Sequence, residues 1–74
     1  MKIRLLSCDA AKPDKRAITK MLEDIAEGIS NYDAQDFTEY LLEGDPIEIT
    51  VSDKNSSSGI RALRKLGIDY EMMD

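Results

Sequence analysis

The chain has 74 residues, 42% hydrophobic and 34% charged, with a net charge of −5, one cysteine and no histidine. That composition describes one small globular domain over residues 1–74 and excludes a disordered chain and an intramolecular disulfide. It also argues against strong non-specific nucleic-acid binding, and without histidine the commonest general base and metal ligand is missing.

No segment reaches the roughly 20 apolar residues of a membrane span. The opening MKIRLLSCDA is too short in its apolar run and too charged for a signal peptide, so the expected location is cytoplasmic. Residues 2–8 read as a strand, with Ile3 and Leu5 on one face and Lys2 and Arg4 on the other. Cys8 is expected as a small buried hydrophobe at its end. Pro13 closes a loop, and residues 14–27 read as a helix whose stripe is Ile18, Met21, Leu22 and Ile25. Gly28 is its expected stop.

A second helix is expected over about residues 33–43, capped by Asn31 or Asp33. Its apolar face is Ala34, Phe37 and Leu41, with Tyr40 at the border of the core. Gly44 and Pro46 end it. Residues 47–51 alternate as a strand, with Ile47, Ile49 and Val51 inward. Residues 52–58 read as a polar loop in which Asp53 or a serine caps the next helix. That third helix buries Ile60, Leu63 and Leu66 and stops at Gly67. The last strand, residues 68–72, turns Ile68, Tyr70 and Met72 inward and Asp69 and Glu71 outward, leaving Met73 exposed as a hint of a partner.

The order β-α-α-β-α-β predicts an α+β two-layer sandwich, a three-stranded, mostly antiparallel sheet with its helices on one face. The other face would carry Lys2, Arg4, Glu48, Thr50, Asp69 and Glu71, charges suited to weak cross-strand pairs.

Several strings carry a family likeness. They are Lys15-Arg16-Ala17-Ile18-Thr19-Lys20, the corner Gly28-Ile29, Asp33-Ala34-Gln35-Asp36-Phe37, and Ala62-Leu63-Arg64-Lys65-Leu66-Gly67 followed by Tyr70-Glu71. Together with the element order, over about residues 1–72, they resemble the C-terminal domain of the bacterial large-subunit ribosomal stalk protein, a layout shared by the Clp-protease adaptor. The resemblance implies the two-layer fold. It also implies a surface on the first two helices that captures translation factors, to which Lys15, Lys20, Gly28 and Ile29 would belong. Glu23, Gln35 and Asp36 stand where that family's surface is basic.

Charge is segregated along the chain. No Lys or Arg lies between Met21 and Asp53, a stretch that holds Glu23, Asp24, Glu27, Asp33, Asp36, Glu39, Glu43, Asp45, Glu48 and Asp53. An acidic second helix presenting Asp33, Asp36, Glu39 and Glu43 is the expected docking surface for a protein partner with a basic surface. Arg61, Arg64 and Lys65 form a basic patch on the third helix that offers a weak nucleic-acid contact as an alternative. No EF-hand or P-loop spacing occurs. The expected protein is therefore a non-enzymatic adaptor or inhibitor without metal or cofactor, a monomer or weak dimer.

Overall fold

The computed structural model describes residues 1–73. Its elements are β1 (Lys2–Cys8), α1 (Lys15–Ile25), α2 (Asn31–Leu42), β2 (Ile47–Thr50), a 3-10 turn (Asp53–Asn55), α3 (Ser56–Lys65) and β3 (Ile68–Met72). The sheet has the order β2-β1-β3, and both pairings are antiparallel. This is the expected β-α-α-β-α-β sandwich.

β1 lies in the centre, so its alternation sets both faces. Ile3 and Leu5 are fully buried and pair across to Ile49 and Ile47 on one side and to Met72 and Tyr70 on the other. On the opposite face Arg4 sits between two acids from the flanking strands. Its guanidinium donates to Glu71 Oε1 at 2.9 Å and to Glu48 Oε1 at 3.2 Å. Glu48 and Glu71 hold it still more firmly protonated than a free arginine. The β1–β3 register slips between Leu5 and Ser7. One extra residue there brings Cys8 opposite Ile68 and against the core, because strict alternation from Leu5 would turn it outward. Cys8 ends half-buried, its thiol donating to the Leu66 carbonyl at 3.5 Å.

The helices pack in one layer. α1 lies against both α2 and α3, α2 rests on β1 and β2, and α3 rests on β3. Asp14 starts α1 by accepting the Ala17 N–H at 3.1 Å. α1 stops at Ile25, short of residue 27, because Ala26 turns extended and bridges to Val51 while the Glu27 N–H donates to the Thr50 carbonyl at 2.7 Å. α2 begins earlier than expected because Ser30 is its cap. Ser30 and Asp33 form a reciprocal capping box, each side chain accepting the other's backbone N–H at 3.2 Å.

Three readings of the third helix change. The segment read as a loop over residues 52–58 is a 3-10 turn running directly into α3. Its serines do not cap: Ser56 and Ser58 donate to the carbonyls of Asp53 and Asn55, and the helix has no side-chain cap. Ile60 and Leu66, expected inside, are half-buried; the buried residues of α3 are Gly59 and Leu63, and a Cβ at Gly59 would sit 3.2 Å from the Ile25 Cδ1 methyl. Met72 also departs from its reading as an inward residue. It is 48% exposed, being the last residue of an edge strand.

Candidate functional site

The buried stripe of α2 is Ala34, Thr38 and Leu41, with Phe37 half-buried beside it. The helical repeat then turns Tyr32, Asp36, Glu39, Tyr40 and Glu43 to the outside, with Asp33 at the edge of that face. All six are exposed, Tyr32 at 79% and Tyr40 at 48%. Among the described residues none of the four acids makes an ion pair. Asp33 is partly engaged by the capping box, leaving Asp36, Glu39 and Glu43 free of any side-chain partner. The two tyrosines are the residues missed from sequence. Tyr40, expected at the border of the core, is 48% exposed, and the signal that finds both is their position on the acid face of the helical wheel.

Between α1 and α2 lies an open cleft of about 500 Å³, whose walls include Lys15, Lys20 and Glu23 on α1 and Asn31, Gln35 and Glu39 on α2. Its floor is a hydroxyl pair, Thr19 Oγ1 and Thr38 Oγ1, 2.8 Å apart. Thr38, 2% exposed, is the one buried polar residue among those described. Its single proton goes to the Ala34 carbonyl at 2.7 Å, so Thr19 must be the donor in the pair. Higher on the wall, Asn31 donates to Glu23 Oε1 and accepts from Gln35 Nε2 at 2.7 Å. The Thr19–Thr38 and Asn31–Glu23 bonds cross between α1 and α2, whereas the Gln35–Asn31 bond lies within α2.

Lys15 and Lys20 thus share one cleft, whereas the Gly28-Ile29 corner lies beyond the far end of α1, an end that is itself about 15 Å from Lys15 along an ideal helix. Gly28 is exposed, with φ +73°, and Ile29 is half-buried. The basic patch on α3 is divided. Arg61, Arg64 and Lys65 are all exposed and make no ion pair among the described residues, but Arg64 lines a groove with Leu6, Asp9 and Asp69, while Lys65 lines another with α1. In the first groove Asp9 raises the Asp69 carboxyl above its ordinary value by sharing a hydrogen bond and repelling its charge, against a smaller lowering from Ser7.

Among the described residues no group of three or more His, Cys, Asp or Glu is placed to hold a metal ion, and no helix is long and apolar enough to cross a membrane. Comparison with family models, with curated proteins and with solved structures returns no match for this chain. The likeness to the stalk domain therefore stands on the element order and the strings quoted above.

Proposed function

We propose that the protein is a small acidic interaction module, an adaptor or inhibitor without catalysis of its own, that docks a basic protein segment on the outer face of α2. One observation carries this reading: two exposed tyrosines stand among four carboxylates, none of which makes an ion pair among the described residues. Tyrosine supplies contact area at low entropic cost and takes an arginine over its ring, and the acids steer a basic partner and fix its register. A face already neutralised by lysines would not steer a basic partner.

The test is a titration of the whole protein with a labelled helical peptide carrying arginines four residues apart. Binding should weaken by about tenfold in the double variant Asp36→Lys/Glu43→Lys, and should also weaken in Tyr32→Ala and with added salt. The control Glu27→Lys lies outside α2 and should leave it unchanged. Equal affinity across all four proteins would end the proposal.

A second reading draws on Lys15 and Lys20 sharing the α1–α2 cleft. It makes the chain a stalk-like factor that binds elongation factors or the ribosome. Co-sedimentation with ribosomes that disappears in Lys15→Ala/Lys20→Ala supports it, and absence of any co-sedimentation removes it. The placement of Arg64 and Lys65 in two separate grooves speaks against nucleic acid as a third, since one phosphate backbone is gripped by adjacent charges.

A further inference from the structure

The far flank of α1 carries a different surface. There α1 and α3 enclose a groove of about 410 Å³. Its floor is made largely of apolar atoms from Ala17, Met21, Ala62 and Leu66. Lys20 on the α1 wall and Lys65 on the α3 wall flank that floor, and both are exposed with no ion pair among the described residues. Asp24 also lines the α1 wall, without pairing to either lysine.

The occupant that suits this groove has an apolar body with a polar tip and carries acids beside it. Such a surface is already present on the molecule, as the Tyr32–Asp36–Tyr40 face of α2. α2 cannot reach the groove of its own chain. It packs on the flank of α1 that bears Thr19 and Glu23, whereas the groove opens on the flank that bears Ala17 and Met21.

We infer that the groove between α1 and α3 receives the α2 face of a second copy of this chain. A tyrosine ring would lie on the apolar floor and the flanking acids against Lys20 and Lys65. The inference rests on the reading of α2 as a docking face and names one partner for it. Because the two patches differ, the contact is heterologous. A pair keeps one free groove on one copy and one free face on the other, so association continues beyond the dimer or closes into a ring. The net charge of −5 opposes this growth, and ordered local pairs are needed to overcome it.

Sedimentation equilibrium of the full chain over a wide concentration range, at low and raised salt, tests it. The wild type should self-associate past a dimer at low salt and dissociate as salt rises. Lys20→Glu/Lys65→Glu removes the groove, and Tyr32→Ala/Asp36→Asn removes the face. Each variant should weaken self-association by about tenfold or more while keeping a wild-type circular dichroism spectrum. Mixed together, the two variants retain one native face and one native groove, so they should form a one-to-one heterodimer that grows no further. A wild type that stays monomeric at its solubility limit overturns the inference, as does self-association that survives in both variants. Failure of the two variants to combine does the same. A monomeric chain that still binds the arginine peptide through α2 refutes the inference alone and leaves the proposed function standing.

Discussion

Replacing Thr38 with Val tests the joint that holds α2 in place. Valine keeps the shape and removes the hydroxyl, which donates to the Ala34 carbonyl at 2.7 Å and accepts from Thr19 at 2.8 Å. The Ala34 carbonyl lies within α2, where the helical N–H of residue 38 remains its partner, so the first loss is small. The second strands the Thr19 hydroxyl. Because Thr19 is half-buried at the floor of an open cleft, water can reach it and its penalty falls at the low end of about 1–3 kcal/mol. Thr38→Val should therefore cost about 1 kcal/mol, a drop in Tm of about 4–8 °C for a domain of this size. Thr19→Val/Thr38→Val removes both hydroxyls, orphans nothing, and should return to within about 0.5 kcal/mol of wild type. Thermal unfolding followed by far-ultraviolet circular dichroism measures all four corners of the cycle. If Thr38→Val melts at or above the wild type, or if the two single costs simply add in the double variant, the clasp does not exist as described.

Gly67→Ala should destabilise more than Gly28→Ala in urea unfolding. Both glycines hold φ near +75°, about 1–2 kcal/mol against alanine, but only at Gly67 does a new Cβ meet Ala10, at 3.2 Å from its backbone N and Cβ; equal losses would refute that crowding. Asp69→Asn should raise Tm at neutral pH and have no effect in strong acid. The fold raises the Asp69 pKa above its ordinary 3.8, so its favourable contribution is complete below that value and is lost as pH rises through the raised one. A Tm difference that stays constant with pH would refute the Asp9–Asp69 interaction, and raised salt should shrink the effect because both groups are exposed. The arginine-peptide titration and the mixing experiment decide the two binding proposals.

Local chemistry made most of the fold legible from sequence. The period-2 pattern of Ile3/Leu5 and Ile47/Ile49/Val51, the helical stripe of Ile18, Met21, Leu22 and Ile25, and the glycines at 28, 44 and 67 each act over a few residues. The acid face on α2 was equally visible, since a helix of known phase fixes which residues point outward. Boundaries and partners needed the tertiary structure. α1 ends where it does because Ala26 meets Val51, a residue 25 positions later in the chain. Met72 has inward parity yet lies half open, because burial depends on what covers a residue as well as on which way it points.

The same reason divides the candidate sites. Arg64 and Lys65 are neighbours in sequence, but the turn of about 100° per residue in a helix sends them into separate grooves. Lys20 and Lys65 are 45 positions apart and line one groove, because α1 and α3 pack side by side. The sequence by itself determined the element order, the core faces of β1, α1 and β2 and the segregation of charge. Only the tertiary structure decided which charges share a surface, since that depends on which helices become neighbours in the layer.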